Sequence, residues 1–245
     1  MRVEIWTDFV CPYCYIGKRM FQEALKKFDH SEDVEVIYRS FELNHNAPKG
    51  KPADTIGELA EKYNMSREEV EKRKQPIIDR ANSVGLDYKA ENLTSNNTFD
   101  AHRLSQYAKT IDKMDKLTER IFKAQFIEGL DINNHEVLLY LAEEAGLNRA
   151  EAKKVLESDA FSNEVFEDQK KADSIDLDYV PFFLFNDTTS VSGDYTIDTF
   201  LDTMNAIWNN EEITATSSDT KEIKKAPPGV VCEDGVCRLV LDDDN

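Results

Sequence analysis

The chain opens on a two-residue period: Val3 and Ile5 alternate with Arg2 and Glu4, which predicts a strand with one face buried. The period then changes. Gly17, Met20, Phe21, Ala24, Leu25 and Phe28 recur at three- and four-residue spacing, the apolar face of an amphipathic helix. A second alternating run, Val34, Val36 and Tyr38 against Glu35, Ile37 and Arg39, continues through Phe41 and Leu43 and predicts a second strand. The order to that point is β-α-β. Pro48, Gly50 and Pro52 then break the pattern between Asn44 and Pro52, and the chain beyond Pro52 carries a helical pattern. Ser66 with Glu69 and Asn148 with Glu151 read as helix starts, Gly85, Gly129 and Gly146 as helix ends, and Pro76 is expected to kink or split its helix. Asn97 reads as the N-cap of a helix carrying His102 and Arg103.

Period two returns at Tyr179 to Phe185, an aromatic and β-branched run. Asn186-Asp187 marks a turn and Ser190 to Gly193 a second short strand, so a hairpin is expected. Asp194 to Trp208 then carries Ile197, Phe200, Leu201, Met204 and Ile207 at helical spacing. Proline at the head of a core-like strand must stand first in it or be cis, which makes Val180-Pro181 a candidate cis bond. From Asn209 to Gly229 the chain is polar and reads as a linker. It leads to two β-prone arms around Asp234-Gly235, a hairpin turn that sets Cys232 opposite Cys237.

The chemistry is expected at Cys11-Pro12-Tyr13-Cys14, where the first strand delivers a C-x-x-C pair onto the first turn of a helix. Pro12 fits the first helical position, which makes Cys11 the N-cap. A thiol there meets the N–H groups of the first turn and the positive end of the helix dipole, so Cys11 is expected to titrate below an ordinary cysteine. Cys14, one turn further in, is expected to resolve the mixed disulfide that Cys11 forms. Zinc is the competing reading for such a pair, although zinc knuckles place it in a tight turn and not between an apolar strand and a proline-headed helix.

Composition narrows the class. Four cysteines in two close pairs argue for redox or metal chemistry and against a disulfide-stapled secreted scaffold. With 48 acidic residues against 30 basic, a formal charge of −18, nucleic acid is not an expected partner. The N-terminus enters directly into a strand, and no apolar stretch approaches the ~18 residues of a membrane span. A cytoplasmic protein that does not engage membranes is expected.

The segments Asp8 to Lys18, Asn97-Thr98 with Ala101 to Leu104, Val180 to Phe183 with Ser192-Gly193, and the distal Cys232 and Cys237 together resemble the DsbA family of thiol-disulfide oxidoreductases, in its cytosolic FrnE-like branch. The resemblance implies an α/β thioredoxin fold with a large all-helical insertion and a C-terminal tail hairpin. Residues 1–45 and 177–209 then form the two parts of the thioredoxin fold, 52–175 the insertion, and 210–245 the linker and tail. It also implies that Cys11 is the exposed nucleophile, Cys14 its buried partner and Pro181 a cis proline. Pro12, Tyr13, Val180, Asn97 and His102 are the implied substrate contacts, with Val180 offering backbone groups to an extended chain. The implied substrates are disulfide-bearing proteins or small thiols, with no resident cofactor and no metal at the first pair. Glutathione, or a metal at Cys232 and Cys237, is compatible with the same reading. Three alternatives remain: a glutathione-dependent isomerase of the 2-hydroxychromene-2-carboxylate type, which usually has serine where Cys11 stands, a protein-binding adaptor of the same fold, and metal binding by Cys232 and Cys237, alone or with the first pair.

Overall fold

The computed structural model describes residues 1–49, 57, 60–61, 64, 66–72, 74–94, 96–193 and 195–211, together with the backbone of 230–233 and 236–239. In chain order the main elements are β1 (Arg2–Thr7), α1 (Pro12–Lys27), β2 (Glu35–Ser40), α2 (Arg67–Lys72), α3 (Lys74–Ser83), α4 (Phe99–Lys109) and α5 (Met114–Lys123). They continue with α6 (His135–Glu144), α7 (Arg149–Leu156), α8 (Ser162–Asp173), β3 (Phe182–Phe185), β4 (Thr189–Val191), α9 (Ile197–Asn209), β5 (Val230–Glu233) and β6 (Val236–Leu239). This is the expected sequence of β-α-β, helices, then β-β-α. Two compact units result: Met1–Thr7, Gly17–Arg39 and Lys170–Asn245 form the first, Asp8–Ile16 and Ser40–Gln169 the second. Among the described residues no helix is long and apolar enough to cross a membrane.

In the first unit the sheet runs β2-β1-β3-β4-β6-β5. β3 lies antiparallel to β1, with Val3 opposite Phe185 and Trp6 opposite Phe182. β4 returns antiparallel along β3 through a three-residue loop, Asn186 to Thr188, in which Asn186 and Asp187 take the left-handed φ values of 47° and 59°. Phe21 of α1 packs on Phe183, Phe185 and Phe200 at 5.7, 6.3 and 5.6 Å between centroids, the aromatic centre of this core. β1 departs from the one-faced strand that its alternation predicts, since Glu4 and Trp6 are as buried as Val3 and Ile5. The cause is electrostatic. Glu4 receives Arg2, Arg39 and Lys171, and Lys171 also sits 5.6 Å over the Trp6 ring, so the second face is covered by paired charge. The tail adds β6 to β4, Ser190 opposite Cys237, and β5 to β6, Cys232 opposite Cys237 as expected. Most of the linker, residues 212–229, and the Asp234-Gly235 turn lie outside the described residues.

The second unit is helical. Ser66 and Glu69 exchange the reciprocal bonds of a capping box, and Asn148 accepts from the N–H groups of Ala150 and Glu151. Gly85, Gly129 and Gly146 all have positive φ at helix ends. Pro76 lies within α3, and Arg73, between α2 and α3, lies outside the described residues, as does the point where the expected kink or split would fall. Two expectations need correction. Thr98, not Asn97, is the N-cap of α4, although Asn97 Oδ1 still accepts from Phe99 N at 3.2 Å while its amide donates to Ala47 O at 2.9 Å. β2 stops at Ser40 and does not reach Leu43, because the backbone donors leave the ladder: Ser40 N–H goes to Asp168 at 2.9 Å and Leu43 N–H to Asp8 at 2.8 Å. The unit also takes in Asp8–Ile16, where Phe9 packs tilted and Tyr15 stacked on Phe122, each with ring centroids 5.2 Å apart.

Candidate functional site

α1 begins at Pro12, so Cys11 is its N-cap and Cys14 stands three residues on. The turn that enters the helix is tight: Cys11 N donates to Asp8 O at 3.1 Å and Cys14 N to Cys11 O at 3.0 Å. No disulfide joins Cys11 and Cys14 in this structure. Cys11 is 5% exposed and Cys14 2%, so the exposed nucleophile that the resemblance implied is corrected to a nearly covered one. Asp8 folds back beneath the helix and holds the Cys11 backbone down, and Tyr13, 41% exposed, forms the solvent side of the first turn with half-buried Pro12.

Beneath the motif, Asp8 joins three segments. Its N–H donates to Cys14 Sγ at 3.5 Å, its Oδ2 accepts from Leu43 N, and its Oδ1 lies 3.5 Å from His102 Nε2. Asp8 and His102 are each 1% exposed, and neither facing atom completes a hydrogen bond at that separation. His102 also packs on Phe9, with ring centroids 4.8 Å apart and the planes tilted by 35°. His102 and Asn97, 1% and 6% exposed, therefore support the motif from behind and present no surface to a substrate. Arg103 is likewise internal: its guanidinium donates to the carbonyls of Val155, Ser158 and Ala160, the C-terminal end of α7, and pairs with Asp100. Burial pushes the Asp100 carboxyl up, but His135, Lys49 and Arg103 outweigh it and hold it below the usual range.

Tyr88, which no periodicity marks, reaches the motif directly. Its hydroxyl donates to Pro12 O at 2.8 Å, and its ring stacks on Phe126 at 4.8 Å. Phe126 belongs to a π-helical turn, Ala124–Glu128, that ends in left-handed Gly129. Sequence reasoning also misses Asp8 as a functional residue. The available signal is an acidic side chain at the end of a buried strand, three residues before a C-x-x-C pair, where only a partnered carboxylate is tolerated.

In the first unit the Val180-Pro181 bond is cis, as expected. Pro181 packs at Gly17 of α1, where a β-carbon would come within 3.1 Å of its Cγ. Val180 is 9% exposed. The Cys232 and Cys237 side chains lie outside the described residues. Among the described residues no cluster of three or more His, Cys, Asp or Glu could hold a metal ion.

Residues 2–205 match the family described as DSBA-like thioredoxin domain. A crystal structure described as a probable DsbA oxidoreductase from Streptomyces coelicolor has a TM-score of 0.80 at 33% identity, covering 97% of this chain and 98% of that one. The uncharacterized protein YwbO of Bacillus subtilis is 30% identical over 191 residues, 77% of this chain and 88% of that protein. The cytosolic disulfide reductase DsbM from Pseudomonas aeruginosa shares the fold at 15% identity and a TM-score of 0.61, covering 86% of this chain and all of that one.

Proposed function

The chain belongs to the DsbA-like thioredoxin family, and from that membership we propose that it is a protein thiol-disulfide oxidoreductase working through Cys11 and Cys14. The Cys11 thiolate attacks a substrate disulfide; the S–S bond breaks, one substrate sulfur leaves and takes up a proton, and the other stays bonded to Cys11. Cys14 then loses its proton and attacks the Cys11 sulfur, releasing the second substrate thiol and leaving a Cys11–Cys14 disulfide. The substrate gains two electrons and the pair loses two, so a dithiol reductant or glutathione must restore it. Run in reverse, the same steps oxidise a substrate, and release before resolution isomerises it. The observation that carries this reading is a helix with Cys11 as its N-cap and Cys14 within the first turn, its sulfur held by the Asp8 N–H. Insulin reduction and disulfide isomerisation, assayed on wild type beside Cys11→Ser, test it. Turnover is expected to vanish in the variant. Turnover that survives rejects the reading, and a partner pull-down indifferent to Cys11→Ser favours an adaptor.

The proposed substrates are disulfide-bearing proteins or small thiols, met by Pro12, exposed Tyr13 and the backbone of Val180. We place the chain in the cytoplasm and in the FrnE-like branch on its two close cysteine pairs, and read Cys232 and Cys237 as a second redox pair. The register that sets their backbones opposite one another supports that role. A Cys232→Ser, Cys237→Ser double variant is expected to slow turnover with at least one reductant. Unchanged turnover with dithiothreitol, glutathione and a thioredoxin system alike, with no zinc bound by the wild type, reduces the tail pair to spectators.

A further inference from the structure

Pro12 has no N–H, and the Cys14 N–H is directed to the Cys11 carbonyl at 3.0 Å. An N-cap side chain draws its donor from the second or third helical residue. Here the second is Tyr13, whose N–H belongs to the Pro12–Tyr13 peptide. The carbonyl at the other end of that same peptide accepts the Tyr88 hydroxyl at 2.8 Å. A hydrogen bond to the carbonyl fixes the plane of a peptide and polarises it, which strengthens its N–H as a donor. Tyr88 is in turn immobilised. It is 3% exposed and its ring stacks on those of Phe126 and Tyr15, at 4.8 and 6.1 Å.

The segment after it is laced to the π-helical turn. Lys89 N donates to Phe126 O at 3.3 Å, Asn92 Nδ2 to the Phe126 and Ile127 carbonyls at 3.3 and 3.2 Å, and Gln125 Nε2 back to Asn92 O at 3.2 Å. A π-helical turn shifts carbonyls out of the usual ladder, and two of them are used here to seat the loop that carries Tyr88.

We propose that Tyr88 is a positioning residue of the redox centre, which holds and polarises the Pro12–Tyr13 peptide so that its N–H stabilises the Cys11 thiolate. The proposal rests on the reading of Cys11 as the nucleophile. The test is the iodoacetamide alkylation rate of Cys11 at pH 7, in the full chain with Cys14→Ser, together with the equilibrium of the Cys11–Cys14 pair against glutathione. Tyr88→Phe is expected to slow alkylation roughly 3- to 10-fold, as the loss of one bond to a charge-stabilising peptide implies, and to shift the equilibrium toward the disulfide by a similar factor. Tyr15→Phe removes an equally buried hydroxyl, one bonded to Glu119 at 2.7 Å, while keeping the ring that packs on Tyr88, and is expected to leave both readings unchanged. A Tyr88→Phe protein that melts lower but stays within twofold of wild type in both readings overturns the proposal and leaves Tyr88 a packing residue. If Tyr88→Phe does not fold, Phe126→Leu keeps the hydroxyl but removes the ring beneath it. A smaller drop of the same sign is then expected, and no drop overturns the proposal. Insulin turnover by Cys11→Ser separates the two readings: survival there rejects the nucleophile, whereas its loss beside an unaltered Tyr88→Phe rejects the positioning role alone.

Discussion

Replacing Gly17 by alanine sets two effects of known size against each other. Alanine in a helix interior gains about 1 kcal/mol over glycine. At this position, however, a β-carbon would lie 2.6 Å from Tyr195 Oη, 3.1 Å from Pro181 Cγ and 3.2 Å from Phe183 Cζ. The nearest of these atoms ends a side chain, but that side chain has nowhere to go. Tyr195 is 2% exposed, and its ring is packed against Phe183 and Phe200 at 5.9 and 5.2 Å. Overpacking of a filled core costs about 1–3 kcal/mol, and three contacts on one new carbon place this case at or above the top of that range. The net expectation is a loss of about 2 kcal/mol or more, or a fall of at least roughly 4–8 °C in Tm for a chain of this size. Thermal unfolding followed by circular dichroism reads it. Because the displaced atoms include Pro181, insulin turnover is expected to fall at temperatures where the variant is still folded. A Tm equal to or above that of wild type refutes the argument, since it would mean that Tyr195 and Pro181 give way without cost.

Glu4→Gln is expected to cost about 2–3 kcal/mol at neutral pH in urea unfolding, somewhat less than the ~3–5 kcal/mol for breaking a fully buried pair because Arg39 and Lys171 keep solvent contact. Burial pushes the Glu4 carboxyl up, but bonds from Lys171 and Arg39 outweigh it and hold the group below the ordinary 4.5. A carboxyl depressed on folding stabilises above its unfolded value and loses that contribution as pH falls through the folded one, so wild type is expected to lose stability below about pH 4.5. In Glu4→Gln that part of the acid limb is absent, and an unaltered limb would show that Glu4 does not carry it. Asp8→Ala strips the Leu43 N–H of its acceptor and leaves His102 facing a void, a loss of about 1–3 kcal/mol, while Asp8→Asn, which keeps an acceptor, is expected to recover part of it in the same urea titration. Equal stabilities for the two variants would remove the tethering role.

The features legible in the sequence are local ones. The helix ends at Gly85, Gly129 and Gly146 and the starts at Ser66 and Asn148 rest on bonds that span two or three residues, so their residue types announce them. The Cys11 N-cap and the cis Val180-Pro181 bond are legible for a similar reason: proline next to a strand or a helix start leaves few conformations. The misreadings share a different cause. Glu4 looks like a solvent-facing position because its neutralising partners Arg39 and Lys171 lie 35 and 167 residues away. β2 reads too long because an alternating pattern does not reveal that Leu43 N–H leaves the ladder for Asp8. The Tyr88 contact crosses 76 residues, and the side chain sits in a loop without periodicity. His102 resembles a contact residue because histidine chemistry suggests one, whereas its packing on Phe9 and its place beside Asp8 are properties of the packed unit.

The central claim is that a substrate sulfur bonds to Cys11 and that Cys14 removes it, and trapping in Cys14→Ser tests this most directly. The variant is mixed with a disulfide-bearing protein such as oxidised insulin, quenched in acid and digested without reduction for mass spectrometry. A substrate chain joined through Cys11 is expected to accumulate, to be released by dithiothreitol, and to be absent in Cys11→Ser. No adduct at Cys11, or an adduct that persists when Cys11 is serine, would contradict the account.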